Sequence, residues 1–217
     1  MTASAVAPPR DRDWVEIVAT VLLSVAAVAT AWSSYQSARW NGEQAKTASR
    51  VNATRVEAAR AQGLAEAQTE VDVATFIQWV DATAHDDLSL KDFYEERFRD
   101  EFKPAFEAWL ATDPLTTAGA PPTPFAMPEY ELEAEDQAKE LDAQAEVLAA
   151  RVRRNIQRST NYVLGVVLFA VSLFFAGIST KLSGKGSRIA LLVIGSIVFL
   201  STAAWIATSP ISVAISS

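Results

Sequence analysis

The sequence predicts an all-α integral membrane protein with three transmembrane helices, carrying a long helical stalk hairpin and a distal helical cap between spans 1 and 2. Three observations lead there. Residues 189–208 are twenty positions without a charge and 162–180 are nineteen more, and a helix needs about 20 to cross hydrocarbon. A third apolar stretch lies near the amino terminus. Between it and the second span runs a charged, helix-forming segment whose first proline is Pro104.

Composition narrows the functions available. The 217 residues include 21% charged side chains, and once three spans are set aside, one small domain remains. Cysteine is absent, which removes disulfides, thiolate metal sites and cysteine nucleophiles. A single histidine leaves no basis for a multi-histidine metal site within one chain.

Taken in order, residues 1–13 form an amino-terminal tail bearing Arg10 and Arg12. Residues 14–32 are transmembrane helix 1, where eight Val, Leu and Ile side chains contribute about −4 kcal/mol to insertion. Trp14 and Trp32 stand at its two ends, where indole rings favour the headgroup layer. A cleaved signal peptide is the rival reading, with Ala29-Thr30-Ala31 as the small-x-small site. Asp11, Asp13 and Glu16 fit a signal peptide poorly. Glu16 is also the one ionisable group near hydrocarbon depth, which makes it the candidate pore or intramembrane site against an interfacial role.

Residues 33–70 are expected to continue as an outgoing stalk helix, with Ala45, Ser49, Asn52, Val56, Ala59, Gly63 and Ala67 forming a small face at helical spacing. Residues 71–112 form the distal cap. Val73, Phe76, Ile77 and Val80 belong to one amphipathic turn set, and Leu90, Phe93, Tyr94, Phe98, Phe102, Phe106, Trp109 and Leu110 to an aromatic helix bent at Pro104. These residues read as core packing or, alternatively, as a groove for a protein partner. A proline-rich loop, 113–127, follows and is expected to cover the cap.

The return stalk helix, 128–161, opens at Pro128, with Glu129, Glu131 and Glu133 favoured by the helix dipole. Ala134, Ala138, Leu141, Ala145, Leu148, Val152, Asn155 and Ser159 alternate spacings of four and three, and the line continues through Tyr162, Val166, Phe169 and Leu173. This helix seam, with Ala138, Leu141, Ala145, Leu148 and Val152 at its centre, reads either as an intramolecular coiled-coil hairpin or as a surface for homo-oligomer formation. Stalks of about 57 Å and about 51 Å would match in length. Residues 162–180 are transmembrane helix 2, 181–188 a basic turn, 189–208 transmembrane helix 3 and 209–217 a carboxy-terminal tail. Gly165, Gly177 and Gly195 are expected to let the spans approach closely.

Charge is laid out along the chain. Residues 70–146 hold twenty acids and five bases, whereas 34–69 with 147–161 hold nine bases and three acids. Arg39, Lys46, Arg151, Arg153, Arg154 and Arg158 form a candidate collar for membrane lipid headgroups. The acidic remainder argues against nucleic acid as a partner. Lys181, Lys185 and Arg188 in the short turn, with Arg10 and Arg12, favour the cytoplasmic side, so 33–161 are expected outside the cytoplasm.

Candidate chemistry is sparse. Asp81 and His85 share a helical face beside Asp86 and Asp87, a weak metal set that reads more simply as a solvated helix end. The run Glu129, Glu131, Glu133, Glu135 and Asp136 suits helix initiation better than paired-carboxylate catalysis. No phosphate-binding glycine loop, nucleophile elbow or dinucleotide fingerprint occurs. No cofactor is expected, and the chain reads as non-enzymatic.

The runs WSSYQSARW at 32–40, FEAWLATDP at 106–114, PFAMPEY at 124–130 and LFFAGI at 173–178 resemble a bacterial family of uncharacterised three-span membrane proteins. The resemblance covers nearly the whole chain. It implies a bacterial cytoplasmic (inner) membrane and a shared architecture, and it brings no site residues. The expected role is a self-associating scaffold or interaction module, with an oligomeric ion channel or transport component as the alternative.

Overall fold

The structure, a computed structural model, describes residues 14–114 and 116–212. The tail with Arg10 and Arg12 and the last part of the carboxy-terminal tail lie outside the described residues. Among those described there is no strand. The elements are α1 (Trp14–Ala84), α2 (Leu88–Glu96), α3 (Lys103–Leu110), a short 3-10 turn (Pro124–Ala126), α4 (Glu133–Ser179) and α5 (Lys185–Ala207). Helices α1, α4 and α5 each contain a stretch long and apolar enough to cross a membrane by length and composition.

Helix α1 is 71 residues long and unites the expected first span, the outgoing stalk and the first part of the cap. Nothing in its sequence stops it, since it has no proline and its glycines, Gly42 and Gly63, are isolated. It ends where Asp86 takes a φ of 54° and the Asp87 N–H reaches the Ala82 carbonyl at 3.0 Å. That left-handed residue after the last turn satisfies carbonyls that would otherwise be orphaned.

The chain divides into two units. The first holds residues up to 48 and those from 150 onward; the second holds 49–149. In the first, the interior of the apolar helices is small and partly polar: Ala19, Ala26, Ser33, Ser172, Ala176, Ser179 and Thr202 are buried. Larger side chains fill the gaps at Val15, Leu22, Phe169, Leu192 and Ile206. The Ser172 hydroxyl donates to the Gly195 carbonyl at 2.8 Å, a contact that requires close helix approach. A Cβ on Gly195 would stand 3.2 Å from the Phe175 Cβ, and one on Gly165 would stand 2.8 Å from the Ile206 Cδ1. Gly177 differs from expectation, because a Cβ there would meet nothing within 4 Å.

The second unit, here called the head, is built on aromatic rings. Phe76, Trp79, Phe98, Phe102, Phe106 and Trp109 form its core. Edge-on contacts dominate, such as Trp79 with Phe106 at 4.9 Å and Phe76 with Trp109 at 5.3 Å, the arrangement ring quadrupoles favour. The loop after α3 covers this core: Phe125 stacks on Phe102 at 5.2 Å, and the Trp109 indole N–H donates to the Pro121 carbonyl at 2.8 Å.

Four expectations need correction here. The small face at Ala45, Ser49, Asn52, Val56, Ala59, Gly63 and Ala67 is exposed throughout, while the inward line runs through Val51, Ala58, Ala61, Ala65, Asp72 and Trp79. Ile77 and Val80 face outward at 56% and 43% exposure, because the aromatic side of α1 is set by Phe76 and Trp79. Pro104 starts a helix rather than bending one, sitting in the first turn of α3, where a missing N–H costs nothing. The return helix begins at Glu133 rather than Pro128, with the Leu132 carbonyl accepting from the Glu135 and Asp136 N–H groups.

Candidate functional site

In the first unit, a group of polar contacts forms where α1 and α4 leave their apolar stretches and α5 ends. Gln36 is fully buried, and its Oε1 accepts from the Ser212 N–H at 2.9 Å. The Pro210 carbonyl accepts twice, from the Trp40 indole N–H and from the Tyr162 hydroxyl, each at 3.2 Å. The Ser37 and Ser159 hydroxyls lie 3.0 Å apart, and the Ser159 hydroxyl also lies 3.2 Å from the Ser37 carbonyl, to which it can donate. Together these contacts clasp α1, α4 and the chain beyond α5. Helical spacing produces the arrangement, since positions 33, 37 and 40 fall on one face of α1 and 155, 159 and 162 on one face of α4.

Around the clasp the chemistry turns cationic. The Arg158 guanidinium lies over the Trp40 ring, 4.5 Å from its centroid, within cation–π range. Arg39 is half-buried, and its Nε has no hydrogen-bond partner. The Ser33 Oγ and Gln36 Nε2 are likewise buried without partners. Unsatisfied buried polar atoms are uncommon in folded proteins, and three of them gather here. Trp32 and Tyr35 face outward with ring centroids 5.9 Å apart.

No family model, curated protein or solved structure matches the chain.

Of the collar residues expected from the sequence, Arg39 and Arg158 adjoin the clasp, whereas Lys46 is exposed and lies 3.4 Å from Glu43. Arg151, Arg153 and Arg154 are exposed on α4. Glu16 is exposed in the first turn of α1, a placement suited to the helix dipole. Ala138 and Ala145 are buried, and Leu141, Leu148 and Val152 are half-buried. Within one chain that seam is thus covered at its alanines and partly covered at its larger side chains. Gln36, Trp40 and Pro210 were not singled out from the sequence, although a glutamine and a tryptophan just beyond an apolar stretch were the available signal.

The other expected chemistry resolves into helix termini. The Asp87 carboxylate caps α2, accepting from the Leu90 N–H at 3.0 Å. His85 and Asp81 are exposed and 3.5 Å apart. Among the described residues, no three His, Cys, Asp or Glu side chains come together to hold a metal ion. In the acidic run, Glu135 and Asp136 lie 2.9 Å and 3.3 Å from Lys139, and the two carboxylates raise the Lys139 pKa.

The head holds one buried charged network that hydropathy did not reveal. Asp72 is fully buried, with Arg99 Nη1 at 2.8 Å and the Tyr130 hydroxyl at 3.1 Å from the same carboxylate oxygen. Burial raises the Asp72 pKa, against the opposing pull of Arg99 and the Tyr130 hydrogen bond. Arg99 also pairs with Glu101, whose other oxygen accepts from the Glu133 N–H at 3.2 Å. A carboxylate from the cap thus meets the first turn of α4.

Proposed function

We infer that the protein is a non-enzymatic, multi-pass membrane protein that holds a helical head as an interaction scaffold. The observation that carries this reading is the inverted polarity of the first unit. Its interior is rich in alanine, serine, threonine and glycine beside a few large side chains such as Phe169 and Leu192, while Val18, Val21, Val25, Val28, Leu164, Val167, Phe174, Ile197 and Leu200 are exposed at 42–70%. An apolar exterior of this extent is unfavourable in water and natural in hydrocarbon, where close packing of small residues holds helices together.

The scaffold role is supported by the head's own aromatic core and by α2, which has no buried residue and exposes Leu88, Leu90 and Phe93. The inward lines of α1 and α4, stepping by alternating fours and threes, support an antiparallel coiled coil within the stalk. The turn bases Lys181, Lys185 and Arg188 favour a cytoplasmic turn, with 33–161 on the opposite side of a bacterial cytoplasmic membrane.

The deciding experiment is extraction of cell membranes with alkaline carbonate and then with detergent. The chain should stay in the pellet until detergent is added; release by carbonate would end the membrane reading. A photo-crosslinker at Phe93 should trap a partner while one at exposed Ala59 should not, and equal yields would remove the scaffold role. Unitary currents from the purified chain in voltage-clamped bilayers, abolished by Glu16→Gln, would replace the scaffold with a channel.

A further inference from the structure

We propose that a groove among the three apolar helices binds one anionic phospholipid, with its phosphate held by Arg39 and Arg158 and an acyl chain entering between Trp32, Tyr162 and Ile206. This rests on the membrane reading above. The groove has a volume of about 230 Å3, and its walls include Trp32 and Ser33 of α1, Tyr162 and Phe169 of α4, and Ala203 and Ile206 of α5. Apart from the tyrosine hydroxyl, which is committed to Pro210, the side-chain polarity among these six belongs to Trp32 and Ser33. Ser33 is fully buried, its Oγ 3.7 Å from where a Cβ on Gly165 would stand, so the surface left to a ligand in this groove is largely apolar and suits an acyl chain.

Both walls lead to a guanidinium. Arg39 lies seven residues beyond Trp32, which returns it to the same face of α1 about 10 Å further along. Arg158 lies four residues before Tyr162, on the same face of α4 and about 6 Å along. Because Ser37 and Ser159 are bonded to one another, the two helices run side by side here, and both arginines sit beyond the same end of the groove. Arg39 brings an Nε without a partner. Arg158, resting on Trp40, keeps its N–H edge for an oxyanion.

Little opposes an anion at this place. Helix α4 carries no acid from 147 to 179, and the first acid of α1 after Glu16 is Glu43, which Lys46 approaches at 3.4 Å. The apolar walls continuing from the cations distinguish this site from one for free phosphate, because only a lipid presents an anionic head and a hydrocarbon tail together.

The test is native mass spectrometry of the full chain, delipidated in detergent and titrated with dioleoyl phosphatidylglycerol or dioleoyl phosphatidylcholine. A single phosphatidylglycerol adduct should form in preference to phosphatidylcholine. In R39Q/R158Q its affinity should fall roughly 30-fold, the equivalent of ~2 kcal/mol at ~1 kcal/mol per base. R39K/R158K should keep most of it, as should K181Q/K185Q at the other end of the spans. Wild-type helicity in each variant establishes that folding is intact; should the double glutamine variant unfold, R39Q and R158Q singly should each weaken binding roughly 5-fold, at ~1 kcal/mol per base, and indifference in both would overturn the site. Equal retention of the two lipids, indifference to R39Q/R158Q, or an equal loss in K181Q/K185Q would overturn the lipid site and leave the membrane reading standing. Displacement of phosphatidylglycerol by equimolar inorganic phosphate would also overturn it, since the groove would then contribute nothing. Carbonate extraction of the wild-type chain would overturn both.

Discussion

A carboxylate buried as deeply as Asp72 needs a cation and hydrogen-bond donors, and the head supplies Arg99 at 2.8 Å and the Tyr130 hydroxyl at 3.1 Å. Replacing Arg99 by Met should therefore destabilise the head by about 3–5 kcal/mol, since it leaves a buried charge uncompensated. Chemical unfolding followed by tryptophan fluorescence reads the loss; a change within experimental scatter would mean that Asp72 is neutral in the folded protein. Burial raises the Asp72 pKa above its ordinary value of 3.8. Its contribution to stability is thus fully present below that value and is lost as pH rises through the raised pKa. Asp72→Asn should flatten this part of the pH profile, so the stability difference between wild type and variant should change across that window and be constant well above it. Neither Asp72 nor Arg99 was marked by the sequence, because one acid among twenty between 70 and 146 reveals its burial only when its neighbours are known.

At the level of the helix, α4 and α1 show why one inward face was legible and the other was not. On α4 the line through Leu141, Leu148 and Val152 is more apolar than its surroundings, so hydropathy finds it. On α1 the inward and half-buried positions include Trp40, Thr47, Thr54, Ala61, Gln68 and Asp72, a line of mixed polarity that periodicity of apolar residues cannot detect. The exposed face meanwhile is made almost wholly of small residues, Ala45, Ser49, Asn52, Ala59, Gly63 and Ala67, and so looked like the contact surface. Ala58→Asp should thus cost several kcal/mol by burying an unpaired charge, whereas Ala59→Asp, one residue on, should stay within about 0.5 kcal/mol. Equal effects in thermal unfolding would refute the assigned face. The aromatic core was legible in Phe76, Phe98, Phe102, Phe106 and Trp109, since large rings at helical spacing are seldom left in water. Trp79 was missed beside the more regular Ile77 and Val80. Between α4 and α5, Gly195→Leu should cost about 1–3 kcal/mol by pushing α5 away from Phe175 and the Ser172 carbonyl of α4. Gly177→Leu should be silent, because space is open there; equal resistance of both to unfolding in denaturing detergent would contradict the packing.

For the molecule as a whole, charge and polarity are segregated by unit. The described part of the first unit has nine bases and two acids, while the head is strongly acidic. If the turn bases set the orientation, a single cysteine at Thr116 or Thr117 should react with an impermeant thiol reagent in intact cells. Reaction only after lysis would reverse the topology. The tie between Trp40 and the Pro210 carbonyl spans 170 positions of sequence, and the bond from Ser212 to Gln36 spans 176. Ribosomal synthesis runs from the amino terminus, so Gln36 and Trp40 emerge long before the residues that satisfy them. Until residues 210–212 arrive, a nascent chain carries an amide oxygen that awaits a donor and an indole N–H that awaits an acceptor. A chain that stops short of these residues thereby differs chemically from one that contains them, and a protease or chaperone that senses exposed polar groups has a means of telling the two apart.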